Sequence, residues 1–573
     1  MGLKRILAVW AGFAVSAVLL TVIQAPIGWG WLAWVSLVPF ILVCRPGEKS
    51  SRLVIAAYIV SLIYWLGNLY WIFPVTWPGW FFFCAYTALL WPILAFCVRF
   101  CRAKGVPLFL AAAVLFVGAE RLQGLLLGGF FWRFLGHSQY ANITIIQIAD
   151  IFGAAGVSFL VGMVNGLAAE LIIAGRENPA RAGQVSNFLK AGLVCAALAA
   201  TVCYGRWRIA QSEEFVEAGP LVGSVQSNIP QSVKQTFQAS EAIFEEVLEN
   251  SKAIARAGAE LIIWPETMVQ AVLNQEVHPF LASPETHELY DKVIREHASD
   301  TAFVLAGGYR AQLRQQGGLT GSLARYNSAF LYRPDGEQSD KQYSKIHLVP
   351  FGEFVPFRKT FPLLYDLLML FTPYDYDYSL DAGTEYTVFE MTGGAGENSQ
   401  TYNFSVMICY EDAVPAIARR FARSEQGQKR LDWLVNISND GWFVQQKNGE
   451  IIPSTELPQH AAICVFRAVE NRLAVVRSVN TGISCLIDTV GRIRNGFQGG
   501  NLPRQAMARR ACAGWFVDTV PIDRRTTFFN KYGQWLDFSC AVCLFLLIIV
   551  PPCGRFIRNK KYTVSSQQQQ HGE

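Results

Sequence analysis

Phe404-Ser405-Val406-Met407-Ile408-Cys409-Tyr410-Glu411-Asp412, continued by Ala413-Val414-Pro415-Ala416-Ile417-Ala418-Arg419-Arg420, is the stretch on which the fold of this chain turns. Its first part is short, largely apolar, β-branched in places and bounded by polar residues, the pattern of a buried strand. Its second part carries acids and a proline early and arginines late, the polarity of a helix. A thiol at such a strand-to-helix turn lies beside backbone N–H groups and the positive end of a helix dipole. Both favour thiolate and can hold an oxyanion. A small buried hydrophobe is the competing reading of Cys409, as of most cysteines. Its surroundings have to decide between them.

The surroundings begin with a membrane. Hydrophobic residues make up 52% of the 573 and charged residues only 16%, on the membrane side of soluble averages. Apolar stretches of spanning length begin at about Ile6, Trp29, Leu53, Gly79, Val106, Gly156 and Phe188, and one more covers 534–552. Lys4 and Arg5 precede the first. Arg45, Lys49 and Arg52 lie between the second and third, Arg99, Arg102 and Lys104 after the fourth, and Arg176, Arg181 and Lys190 after the sixth. The alternate loops, 24–28 and 74–78, carry no charge. This is a positive-inside pattern with both termini in the cytoplasm and about eight spans. The first span lacks a small-residue cleavage site and reads as an anchor.

The expected organisation is therefore a membrane domain over 1–204 with about seven spans, a large block over 205–533 outside the cytoplasm, a last span over 534–552, and a basic and polar cytoplasmic tail over 553–573. A bacterial inner membrane with a periplasmic domain is the simplest host. Glu120, Arg121, Asn165 and Glu170 are the polar residues at or near membrane depth; Glu120 and Arg121 can pair locally, and a helix end is one reading of Glu170. No paired half-helix pattern marks a transporter. The net charge of +5 gives no argument for nucleic acid. Thirteen cysteines without CxxC pairs or Cys/His ligand spacing indicate neither zinc nor a disulfide framework, so no metal or cofactor is expected. Gly393-Gly394-Ala395-Gly396 lacks the context of a phosphate loop.

Strand and helix patterns alternate through the outer block. Strand-like runs at 221–226, 260–264, 301–307, 328–333, 405–408, 432–438, 474–479 and 485–489 enclose helical patterns at 239–257, 287–297 and 459–472. Alternation with some hairpins argues α/β with mixed sheets. Polar residues stand at strand ends, where one rim of such a sheet binds ligands. Glu266 follows Leu261-Ile262-Ile263-Trp264-Pro265, the proline ending the strand. Lys345 stands in Tyr343-Ser344-Lys345-Ile346-His347-Leu348-Val349-Pro350-Phe351-Gly352-Glu353. Glu266 suits a base for the thiol proton. Lys345 suits a stabiliser of the tetrahedral intermediate, aided by the backbone N–H of Tyr410. A solvated loop residue is the ordinary reading of either one. His347 or His460 with Cys409 makes a competing dyad, which spacing alone does not exclude.

Three segments, Leu-Ile-Ile-Trp-Pro-Glu, Lys-x-His-Leu-Val-Pro-Phe-Gly-Glu-Phe-Val-Pro and Ile-Cys-Tyr-Glu, resemble the signature of apolipoprotein N-acyltransferases, in the carbon–nitrogen hydrolase (nitrilase) superfamily. Gln226-Ser227-Asn228-Ile229-Pro230-Gln231, Ile437-Ser438-Asn439-Asp440-Gly441-Trp442-Phe443 and Gly136-His137-Ser138-Gln139-Tyr140 resemble further family segments. The resemblance implies an αββα nitrilase-like sandwich over 205–533 and a Glu-Lys-Cys triad of Glu266, Lys345 and Cys409. It also implies supporting roles for Glu353, Tyr410 and Glu411. The implied reaction is ping-pong: a phospholipid acylates Cys409, and the α-amine of a diacylglyceryl-cysteine apolipoprotein takes the acyl chain. The alternative is a membrane-tethered amidase using the same triad with water. One departure stands out: where the family commonly has a tryptophan, this chain has Lys234-Gln235-Thr236-Phe237. The apolar segment 361–378 suits a lid touching the membrane, or a loop packed on the domain.

Overall fold

Helices occur at each place where the sequence predicts a crossing, but they are not alike. The computed structural model describes residues 2–177, 184–231, 237–316, 319–355, 357, 360–369, 378–394, 399–423 and 429–549. Among the described residues, five helices are long and apolar enough to cross a membrane: Leu3–Val22, Ser50–Asn68, Trp77–Ala103, Ala154–Glu177 and Val185–Phe215. The helix Leu108–Gln123 has 16 residues, about 24 Å of rise against about 30 Å of hydrocarbon. Gly30–Val43 and Trp535–Ile549 are shorter still. The tail over 553–573 and the residues Lys234, Gln235 and Thr236 lie outside the described residues.

The second predicted span is a departure with a physical reason. It is a 3-10 helix, Gly30–Val35, followed by a short α-helix, Val38–Val43, with a proline in its first turn. The backbone groups freed by that break need partners, because hydrocarbon supplies none. Asn165 provides them: its Oδ1 accepts from Leu37 N at 2.7 Å and its Nδ2 donates to Ala33 O at 2.8 Å. Ser16 Oγ accepts from Phe40 N at 2.9 Å. The local pairing open to Glu120 and Arg121 gives way to other partners. Arg121 pairs with Asp537 of the last helix at 3.6 Å, and Glu120 accepts from Leu135 N at 2.6 Å. Glu170 is held by Lys190 at 2.5 Å.

Among the described residues, the block after the helices carries fourteen strands in chain order: β1 Val216–Gln226, β2 Leu261–Ile263, β3 Phe303–Gln316, β4 Leu319–Tyr332, β5 Gln338–Ser344, β6 Phe389–Gly393, β7 Gln400–Ile408, β8 Trp433–Ser438, β9 Gln445–Lys447, β10 Glu450–Ile452, β11 Ala474–Val479, β12 Cys485–Ile487, β13 Gly499–Gly500 and β14 Gly514–Asp523. They form a seven-stranded sheet ordered β13-β14-β1-β2-β3-β4-β5 and a five-stranded sheet ordered β12-β11-β8-β7-β6, with β9 and β10 a separate hairpin. β1, β2 and β3 run parallel, as do β7, β8 and β11, and the outer strands are antiparallel.

Period-two alternation sets the layers. Leu261, Ile263, Leu305 and Leu331 of the larger sheet share one core with Val406, Ile408, Val435 and Val475 of the smaller. Ile262, Val304 and Phe330 point the other way, onto Ile243, Val247 and Ile294 of helices Phe237–Arg256 and Pro284–Asp300. Helices Pro415–Ala422 and Glu456–Asn471 cover the smaller sheet. The result is helix, sheet, sheet, helix, the expected mixed-sheet sandwich. Ser478 Oγ crosses between the sheets to Val225 O at 2.9 Å and Ile263 O at 3.0 Å.

Candidate active site

Four strand ends meet on one rim. β2 stops at Trp264 and Pro265, and Glu266 follows; β5 delivers Lys345, β7 delivers Cys409 and β8 delivers Asn439. Glu266 and Lys345 are buried, not solvated as the ordinary reading had it. The Lys345 ammonium lies 2.8 Å from Glu353 Oε2 and 3.5 Å from Glu266 Oε1. Burial works against that charge, but Glu353, Cys409 and Glu266 outweigh it and hold the lysine above its ordinary range.

Each carboxylate has further fixed donors. Glu266 Oε1 accepts from Asn327 Nδ2 at 2.6 Å, and its Oε2 accepts from Asn439 N at 2.7 Å. Glu353 Oε1 accepts from the same Asn327 amide at 3.0 Å, and its Oε2 from Val349 N at 2.9 Å. Asn327, on β4, thus spaces the two acids.

Cys409 opens a short 3-10 turn, Cys409–Ala413, with φ at +54°. That left-handed conformation costs a non-glycine residue about 1–3 kcal/mol and needs outside support. Asn436 Nδ2 donates to Met407 O at 3.3 Å and to Cys409 O at 3.1 Å. Glu411 closes the turn, accepting from Ile408 N at 2.8 Å. It also accepts from Ile346 N at 2.7 Å, His347 N at 3.0 Å and the Tyr343 hydroxyl at 2.8 Å. One buried carboxylate therefore ties the end of β7 to the segment after β5, which aligns thiol and ammonium. Burial lifts Glu411 to about 7, partly offset by those donors and by Lys345.

Burial pushes the Cys409 thiol up, Glu266 adds to that, and Lys345 and His460 oppose it. The resting group is a thiol, so attack needs a base at the moment of reaction. The two histidines of the competing dyad differ. Burial and Lys345 lower His347, whose Nε2 has no hydrogen-bond partner among the described residues, whereas His460 is engaged by the carboxylates around it. Cys464, Cys485 and Cys512 are free thiols.

Tyr410 joins this rim to the membrane part. Its hydroxyl accepts from Phe131 N at 2.7 Å and donates to Gly129 O at 3.2 Å, and its ring stacks on Trp132. Trp132 Nε1 donates to Gln459 Oε1 at 2.8 Å, and Gln459 Nε2 donates to Ala25 O at 2.9 Å. All six residues singled out in the sequence, Glu266, Lys345, Glu353, Cys409, Tyr410 and Glu411, belong to this one constellation. Asn327, inside β4, and Asn436, inside β8, were missed, since nothing in the local sequence marks either one.

Residues 16–167 match the family model of the apolipoprotein N-acyltransferase N-terminal domain, and 221–498 match that of carbon-nitrogen hydrolases. A Geobacter metallireducens protein named apolipoprotein N-acyltransferase is 31% identical over 531 residues, 89% of each chain. One of the same name from Gloeobacter violaceus is 28% identical over 557 residues, 92% of each chain. A third, from Brucella melitensis, is 26% identical over 530 residues, 88% of this chain and 84% of that one.

Proposed function

The chain belongs to the apolipoprotein N-acyltransferase family, and from that premise we propose how its residues carry out the transfer. It is a membrane-associated acyltransferase whose activity is the N-acylation of lipoproteins. Glu266 takes the Cys409 proton as the sulfur attacks the acyl ester of a membrane phospholipid. The tetrahedral oxyanion is held by the Lys345 ammonium and the Tyr410 backbone N–H. Collapse expels a lysophospholipid, protonated by Glu266, and leaves a thioester on Cys409. The α-amine of a diacylglyceryl-cysteine apolipoprotein attacks that thioester, gives its proton to Glu266, and leaves as the N-acyl product with the thiol restored.

The observation that carries this reading is the sharing of Lys345 between two carboxylates at the end of the Cys409 strand. The lysine stays charged as an electrophilic partner while Glu266 remains the acceptor. The contact of Tyr410 with Phe131 puts the nucleophile against the membrane part, where both lipid substrates reside.

The division at 204, 533 and 552, with about eight crossings in a bacterial inner membrane, belongs to the same proposal. So does a periplasmic catalytic domain with both termini cytoplasmic. Basic residues gather at one end of the helices: Arg99 donates to Pro46 O, Arg102 to Ile41 O, and Lys4, Arg5 and Arg45 line one cleft. Ala25, Trp71 and Phe131 meet the catalytic block at the other end. In helix Pro362–Met369, Leu363 is 88% exposed and Phe361 just precedes it exposed too, as suits a membrane-touching lid; 370–377 lie outside the described residues.

The test is the intact mass after exposure to phospholipid. An acyl adduct on the wild type, absent from Cys409→Ala and discharged by a lipopeptide amine, is the expected result. Free fatty acid as the sole product would point to the hydrolytic alternative.

A further inference from the structure

Beneath the nucleophile turn lies a group of buried charges that acyl transfer does not use. His460, on helix Glu456–Asn471, has its Nε2 2.7 Å from Asp412 Oδ1, within the turn Cys409–Ala413. Its Nδ1 lies 3.3 Å from Asp440 Oδ1 and 3.2 Å from Glu456 Oε1. Arg477 of β11 pairs with Asp412 Oδ2 and stands 4.0 Å from Asp440 Oδ2. The Cys464 thiol borders Asp412 and Arg477, Ser438 Oγ donates to Asp440 Oδ1 at 2.6 Å, and the Trp132 ring lies against the imidazole. All of the charged members are buried.

With the Asp412 carboxylate at Nε2 and the Asp440 carboxylate at Nδ1, a neutral imidazole would aim one lone pair at an anion. The imidazolium donates at both ends. Asp440, Glu456 and His460 also have the spacing of a metal site. A divalent ion there would face the Arg477 guanidinium, whereas the imidazolium needs nothing from outside the chain.

We propose that His460, as an imidazolium clamped between Asp412 on one side and Asp440 and Glu456 on the other, is a positioning residue for Cys409. It fixes the turn that presents the thiol, and its positive charge opposes the upward push of the Asp440 carboxylate on that thiol. Burial works against that charge, but Asp412 and Asp440 outweigh it and raise His460 well above its ordinary value. Asp412 in turn is held low, His460 and Arg477 outweighing its burial. The role rests on Cys409 being the nucleophile, so thiol reactivity is measured apart from acyl transfer.

The experiment is alkylation of Cys409 by iodoacetamide at pH 8 in the full-length enzyme in detergent micelles, followed by peptide mass, for wild type, His460→Gln, Asp412→Asn and the double variant. The single variants should alkylate about tenfold more slowly, one pKa unit of lost assistance. Thioester formation should slow in parallel with little change in KM. The double variant should be no slower than the worse single one, as for two members of one unit. An unchanged alkylation rate in folded His460→Gln overturns the proposal, as does stoichiometric transition metal in the wild type that this variant lacks. If His460→Gln does not fold, histidine ring shifts of the wild type at pH 8 decide: an imidazolium supports the role and a neutral ring refutes it. A wild type that alkylates normally but forms no thioester would instead refute the acyl-transfer reading.

Discussion

Lys345 Nζ lies 2.8 Å from Glu353 Oε2, closer than it comes to Glu266 at 3.5 Å. The lysine's charge is therefore held chiefly by the carboxylate that accepts no proton in the proposed cycle. In that cycle Glu266 would be left free to act as base. The two acids would divide two tasks, with the Asn327 amide between them.

Glu353→Gln should shift the ammonium onto Glu266 and disable the base. Thioester formation should fall about 10²–10³-fold, the range for losing an electrostatic or general-base group, with KM changed only severalfold. Single-turnover kinetics with labelled phospholipid measure this. A variant within threefold of wild type would remove Glu353 from the machinery.

Lys345→Met and His347→Gln should part company. Loss of the ammonium should cost about 10²–10³-fold, like loss of an oxyanion donor. His347, held neutral with an Nε2 unpartnered among the described residues, should cost about threefold or less through packing alone. Equal damage in the same assay would restore the Cys–His dyad.

Asn327→Ala removes one donor from each acid. It should lower the maximal rate about 10–10²-fold without a matching rise in KM, because the substrate contacts remain. Asn327→Asp should be worse, since it puts a third carboxylate beside Glu266 and Glu353.

The wild type should lose thermal stability as pH rises from about 4.5 to about 7. Burial raises Glu456 from 4.5 to about 7, and Glu411 and Glu470 move the same way. A folded-state value above the unfolded one means stability fully present below pH 4.5 and lost on passing through 7. Glu456→Gln should flatten that slope without abolishing it. Calorimetry across the window checks it, and a slope that stays the same would contradict the assignment.

The site was legible because strand ends are local features. The apolar run before Cys409, the proline before Glu266 and the segment around Lys345 each marked a chain leaving a sheet, and the rim gathered them. What escaped notice depended on distant partners. The segment after Trp29 is as apolar as a spanning helix, yet its broken backbone is sustained by Asn165, far along the chain. Arg121 looked like a partner for its neighbour Glu120 but pairs with Asp537 of the last helix. Asn327 is one asparagine among many until β4 brings it between two acids. Glu411 came from family resemblance; its part as a tie between two strand ends appears only in three dimensions.

The bond between Phe131 and Tyr410 has a consequence for selectivity. Tyr410, the residue next to Cys409, is fastened to the helices, and Trp132, Gln459 and Ala25 make a second tie. With the helices placed in a bilayer as proposed, such an enzyme would work as a depth gauge. An ester carbonyl or an amine would be chosen first by its altitude in the membrane, and fatty chains of different length would present the same carbonyl at the same level.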